Sequence, residues 1–210
     1  GEGDRDKLTG REQVLIGAAA FFGITAEALI GMLLPLWALE RGFGAQAIGV
    51  LVALGSLSPL LFAPLAGVLC DRYGDRRMMV MTGVLAALSA LCYGPAAAFA
   101  LACGVQLLGG LARSTAWVAA QSYAVRRASD AQRPKIMGRF SFSGSLGMLL
   151  APLLAGWLIS HQGVSAGFLL MAGWALGLVG VAWALPEVLR PALVSNPWRA
   201  AAVGVVTMPQ

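Results

Sequence analysis

Long apolar runs separated by short polar links set the pattern of this chain. A bilayer core takes about 20 mostly apolar residues per helix. Six stretches reach that length: 14–39, 47–69, 78–97, 99–123, 140–160 and 164–185. They lack the period-two alternation of strands and are too long for them. The pattern predicts an all-α membrane protein with six transmembrane helices. It divides the chain into an N-terminal segment at 1–12, a bundle at 13–187 and a tail at 188–210. The apolar run 200–206 in that tail is too short to span. The tail is therefore read as a cytoplasmic extension or as the start of a truncated seventh helix.

The links alternate in charge, and this orients the bundle. One side carries Arg5, Lys7 and Arg11, then Arg72, Arg76 and Arg77, then Arg126, Arg127, Arg133, Lys135 and Arg139, and finally Arg190 and Arg199. On the other side Arg41 stands as the one basic residue, and the links around Gly94-Pro95 and His161-Gln162-Gly163 carry no Lys or Arg. The positive-inside rule then predicts both termini in the cytoplasm. The segment before the first run is polar and charged, and that run is too long for a signal-peptide core, so no cleavable signal is expected.

Composition supports the same class. Hydrophobic residues make up 58% of the 210 and charged residues 12%. A soluble domain carries about 25% charge, so lipid must cover much of this surface. The net charge of +5 does not point to nucleic acid, because the basic residues lie between apolar runs and form no continuous stripe. Cys70, Cys92 and Cys103 lie in or beside apolar runs and make neither a disulfide framework nor a metal pattern. With no Ser-His-Asp grouping, Walker loop or zinc spacing, the reading is of a protein that is not an enzyme and needs no cofactor or metal. Arginine far outnumbers lysine, and alanine, glycine and leucine abound, which suits a bacterial inner-membrane protein.

The link between the second and third runs reads Gly67-Val68-Leu69-Cys70-Asp71-Arg72-Tyr73-Gly74-Asp75-Arg76-Arg77. Gly67 is expected to permit close helix approach. Asp71 is placed between a helix C-terminus and the next N-terminus, where it can accept from exposed N–H groups. Gly74 suits a tight turn with positive φ. Arg72, Arg76 and Arg77 are expected to pair with Asp71 and Asp75 or to anchor to anionic lipid. This G-x-x-x-D-R-x-G-x-R-R pattern resembles the signature loop of the major facilitator superfamily. The resemblance implies a gating loop that contacts a second six-helix half in a state-dependent way.

The fifth run carries Gly138, then Gly147, Ala151-Pro152 and Ala155-Gly156. It is similar to the superfamily's antiporter motif, with alanine at two glycine positions, and that motif implies proton-coupled export. Physically, Gly147, Ala151, Ala155 and Gly156 form a small-residue seam, and Pro152 permits a bend. A generic packing face would look the same.

Two charges lie inside apolar runs. Arg113 in the fourth run costs at least ~2.5 kcal/mol on insertion scales, so it needs the bundle interior, a water cavity or an acidic partner. The superfamily has an arginine in its fourth helix, and Arg113 with the small residues after it resembles that motif; the motif's glutamine and first glycine are missing. Arg113 can also be read as a structural residue snorkelling to the charged side. Glu27 is the one carboxylate inside a run. Desolvation favours the protonated form of a carboxylate, so such a group can take up and release a proton. Glu27 could instead hold a cationic substrate or simply partner Arg113. The superfamily resemblance assigns it no role by position.

Weaker features complete the reading. Pro35, Pro59 and Pro64 can bend helices. Trp37, Trp157 and Trp183 fall near run ends, as interfacial anchors do. Trp117, Gln121 and Tyr123 are candidate pathway residues, and His161 reads as a loop residue. Leu185-Pro186-Glu187 resembles the usual end of a sixth helix in this superfamily.

The resemblance covers residues 12–187, one whole six-helix half. It implies the N-terminal half of a proton-coupled exporter of small amphipathic or cationic molecules. Its partners would be the bilayer, protons, a small-molecule substrate and a second half supplied by a further segment, another chain or a copy of this one. A non-transporting fragment and an importer of sugars or metabolites are the alternatives.

Overall fold

The structure, a computed structural model, describes residues 8–95 and 98–187. It is all-helical there: α1 (Gly10–Glu40), α2 (Ala45–Tyr73), α3 (Asp75–Cys92), α4 (Phe99–Arg127), α5 (Arg133–Gln162) and α6 (Val164–Ala184). The tail at 188–210 lies outside the described residues.

Four of these helices, α1, α2, α5 and α6, are long and apolar enough to cross a membrane. α3 gives its first turn to Asp75, Arg76 and Arg77, and α4 carries Gln106, Arg113 and Gln121 along its length.

Several helices run past the apolar stretches that predict them. α2 continues through Asp71 and Arg72, and α5 begins at Arg133 rather than near residue 140. Hydropathy marks what suits lipid, whereas helical geometry is indifferent to charge, and arginine is itself a good helix former. α3 departs in the other direction. It ends at Cys92 rather than residue 97, because the chain turns at Tyr93-Gly94-Pro95.

Among the described residues three turns use glycine at positive φ: Gly42 at +76°, Gly74 at +99° and Gly163 at +85°. Gly74 alone separates α2 from α3. At the chain's first helix, Thr9 caps α1 by accepting from the Glu12 amide at 3.3 Å.

α3 packs on α4 and α6, α1 packs on α5 and α6, and α2 packs on α4. α1 and α4 also meet at the middle of the bundle. α2 and α5 are the most exposed helices, each with a row of open leucines such as Leu57, Leu60 and Leu61, or Leu149, Leu153 and Leu154.

The core falls into two clusters. One gathers Leu29, Leu33, Trp37, Tyr93 and Phe168 towards the end away from the arginine clusters. The other gathers Ile16, Met79, Tyr123 and Phe140 towards the charged end. Trp37 belongs to the first cluster, 4% exposed, with its Nε1 donating to the Tyr93 carbonyl at 3.0 Å. It is a core residue rather than an interfacial anchor, whereas Trp157 and Trp183 are open.

Candidate functional site

Between the two clusters sits an ion pair. Arg113 Nε on α4 lies 3.1 Å from Glu27 Oε1 on α1. The two ends of this pair live in different surroundings. The Arg113 side chain is wholly buried, whereas 41% of the Glu27 side chain is exposed. Glu27 is therefore not the buried carboxylate expected from its place in an apolar run. It opens to the outside of the bundle on the same stripe as Gly31, one turn on, which is also exposed. Helical side chains lean towards the N-terminus of their own helix. Arg113 follows that rule, and its guanidinium lies beside Gly109, one turn earlier on α4. Its Nη1 and Nη2 are buried without a hydrogen-bond partner among the described residues.

The charged end holds a second constellation. Asp71 lies in the last turn of α2 rather than between helices, so it does not cap α3. The acid in the first turn of α3, where a negative charge suits the helix dipole, is Asp75. Arg126 on α4 joins both: its Nη2 lies 2.5 Å from Asp71 Oδ1 and its Nε lies 3.2 Å from Asp75 Oδ2. Arg76 reaches across to α6 and donates to the carbonyls of Ala182 and Trp183, each at 3.0 Å, adding to the Leu185 amide that caps the C-terminus of that helix. Arg77 pairs with Glu187 at 3.1 Å, and Arg72 lies over the Tyr73 ring. Gly67 departs from expectation. A side chain there would meet nothing within 4 Å, so it mediates no close approach among the described residues.

The fifth-helix motif divides in two. Gly147, Ala151 and Ala155 are buried. A Cβ on Gly147 would lie 2.5 Å from the Phe21 carbonyl oxygen, so α1 and α5 touch backbone to backbone there. Gly144, one turn earlier, belongs to the same seam, with Ile24 at 3.2 Å from its missing Cβ. Gly156 lies at the edge, near Met32, and Pro152 is half-buried within α5. Gly138 is open, with nothing within 4 Å, and takes no part in the seam.

Comparison with known proteins follows the same outline. The family model of the Major Facilitator Superfamily matches residues 16–208. The chain belongs to this superfamily. Multidrug resistance protein 2 of Bacillus subtilis is 28% identical over 157 residues, covering 75% of this chain and 38% of the relative. The class B tetracycline resistance protein of Escherichia coli is 33% identical over 134 residues, covering 61% and 33%. The quinolone resistance transporter of Acinetobacter baumannii is 31% identical over 164 residues, covering 71% and 35%. The chain thus matches little more than a third of the length of these curated relatives. The superfamily is one of transporters rather than enzymes.

Several residues of this superfamily member escaped the sequence reading. Arg126 was one of five basic residues in a single link, and nothing local marks which of them meets Asp71. Tyr123, a candidate pathway residue, is instead buried, and its hydroxyl donates to the Pro186 carbonyl at 2.8 Å. Gln121 is exposed, and Trp117 packs on Phe140 with ring centroids 5.0 Å apart. Arg127 ties the last turn of α4 to Glu12 in the first turn of α1 at 2.8 Å. The spacing of Gly144, Gly147 and Ala151 did contain a signal for Gly144, since these positions recur at three and four residues.

Proposed function

We propose that this chain is the N-terminal six-helix half of a proton-coupled exporter of small amphipathic or cationic molecules. The observation that carries this reading is the exposure of Glu27. A carboxylate in the middle of a spanning helix, opening out of the bundle, is the group that lipid covers worst. That face calls for water or for a second six-helix half. The open apolar rows on α2 and α5 supply surface for such a half. All six helices are taken to span, with both ends in the cytoplasm. α3, at 18 residues, is about 27 Å long. Arg76 and Arg77 at its start are long enough to reach the headgroups.

The chemistry follows from the pair. Ionised Glu27 is held by Arg113 at its back and remains open at its front. A proton or a cationic substrate can each neutralise that carboxylate, and one excludes the other. Such exclusion is the basis of exchange: loading a proton from one side favours release of the substrate on that side. Arg113, wholly buried, acts through Glu27 and does not touch the substrate in this conformation. The Asp71–Arg126–Asp75 cluster and the reach of Arg76 to α6 fasten α2, α3, α4 and α6 at the charged end, and this loop is assigned the gating role. The resistance proteins among the relatives support export over import.

Reconstitution of the chain with a second six-helix half in proteoliposomes tests the reading. An imposed pH gradient should drive flux of a lipophilic cation, and Glu27→Gln should abolish the coupling while leaving the assembly intact. Flux of equal size and pH dependence in Glu27→Gln would rule the reading out. A stable monomer without any flux would identify a non-transporting fragment instead.

A further inference from the structure

Arg113 has more donors than the pair with Glu27 uses. A guanidinium carries five N–H groups. Only Nε meets Glu27, and the buried Nη1 and Nη2 have no partner among the described residues. Leaving buried charged donors unpaired is costly, so what surrounds them matters.

The surroundings are given by Gly109. A Cβ placed on it would lie 2.7 Å from Arg113 Nη1 and 2.9 Å from Ser89 Oγ. The missing side chain is thus the slot in which the guanidinium rests, with the Ser89 hydroxyl of α3 bordering the same space. Ser89 is 2% exposed and spends its one proton on the Ala86 carbonyl at 2.8 Å. Its lone pairs are left to accept. One turn earlier on α4, Gln106 Oε1 accepts from the Tyr93 hydroxyl at 2.5 Å, also buried. An amide oxygen has a second lone pair. Behind the ion pair there is therefore a sealed set of acceptors and no competing acid. At this level of the bundle the titratable or charged groups among the described residues are Glu27, Arg113 and, beyond the end of α3, Tyr93, with the thiols of Cys92 and Cys103 towards the same end. α2, α5 and α6 bring none there.

We propose that Ser89 is a positioning residue that offers Arg113 a second acceptor, with Gly109 keeping the path to it open. When Glu27 takes a proton from water, the carboxylate loses its charge and its hold on Nε. The guanidinium, still charged, then shifts its Nη1 onto Ser89 Oγ. Loss of the proton returns it to Glu27. Ser89 thus stabilises the protonated state of the pair, and Arg113 has two positions rather than one. The inference rests on Glu27 being the proton site.

The test is a pH titration of the Glu27 carboxylic C=O infrared band, using the purified chain in lipid nanodiscs. The band is assigned by its loss in Glu27→Gln. Ser89→Ala should lower the midpoint by about one pH unit, a tenfold loss of proton affinity, the size expected for losing one hydrogen bond to a charged group. Gly109→Ala sets a methyl 2.7 Å from Nη1 where the guanidinium already pairs with Glu27, so it should cost thermal stability by crowding the slot. Ser89→Thr, which keeps the hydroxyl, should restore the parent midpoint. A purely structural serine would change thermal stability and leave the midpoint alone. A midpoint unmoved in Ser89→Ala overturns the inference while leaving Glu27 as the proton site. A midpoint shifted as far by Thr as by Ala also overturns it. A Glu27 band that fails to titrate removes the proton-site reading and this inference with it.

Discussion

Arg126 Nη2 lies 2.5 Å from Asp71 Oδ1, tying the end of α4 to the end of α2. The same guanidinium reaches Asp75, yet the two acids differ sharply in setting. Asp71 is 53% exposed and Asp75 is 5% exposed. Exposed pairs contribute about 0–1 kcal/mol, so Asp71→Asn should cost at most that. Asp75→Asn removes a buried charge from a helix N-terminus and from Arg126 together, and should cost about 1–3 kcal/mol. Thermal unfolding of the two variants in detergent checks the order. Equal losses would contradict it.

Despite its small cost in stability, Asp71→Asn should change which state the assembled transporter occupies. A fastening that holds one conformation need contribute only about 1.4 kcal/mol to shift a population ratio tenfold. Labelling of a cysteine placed at the charged end, in a background with Cys70, Cys92 and Cys103 replaced, should rise several-fold in Asp71→Asn. Unchanged labelling would remove the loop from the gating role.

The α1–α5 seam separates two glycines that look alike in sequence. Gly147→Ala sets a methyl 2.5 Å from the Phe21 carbonyl oxygen, and overpacking of this kind costs about 1–3 kcal/mol. Gly138→Ala meets open space within the helix and should be neutral or stabilising by up to about 1 kcal/mol. Melting temperatures of the pair in one detergent decide this. Loss at Gly138 as large as at Gly147 would contradict the assignment.

Glu27 and Arg113 should be coupled energetically. In a cycle of Glu27→Gln, Arg113→Gln and the double variant, contacting charges give an interaction of about 0.5–3 kcal/mol. The double variant should be less damaged than the sum of the singles, since Glu27→Gln alone leaves the buried guanidinium without its counter-charge. Additive losses would show that the pair does not act as a unit.

The sequence was most legible where lipid and water make opposite demands. Six apolar runs gave six helices, and Glu27 and Arg113 stood out because charge inside such runs needs a reason. Helix ends were less legible, because α2 and α5 run on through arginines that hydropathy counts as links. The face to which Glu27 points was not legible either. Burial of a carboxylate follows from its neighbours on other helices, and here α1 turns it outward while α4 keeps Arg113 in. The partners at the charged end were hidden for a related reason. Five basic residues crowd one link, and only packing selects Arg126 for Asp71 and Arg127 for Glu12. Ser89 and Gly109 looked like ordinary members of apolar runs, and the placing of Ser89 beside the Gly109 slot that holds Arg113 needs the approach of α3 to α4.

The central claim is that Glu27 faces water or a partner half and not lipid. Cysteine at position 27, in a chain freed of Cys70, Cys92 and Cys103 and reconstituted in bilayers with a second half, measures it most directly. The account predicts rapid modification by a charged, water-soluble thiol reagent and protection by a cationic substrate. A spin label at that site that is relaxed by lipid-dissolved oxygen and untouched by a charged aqueous relaxant would contradict it.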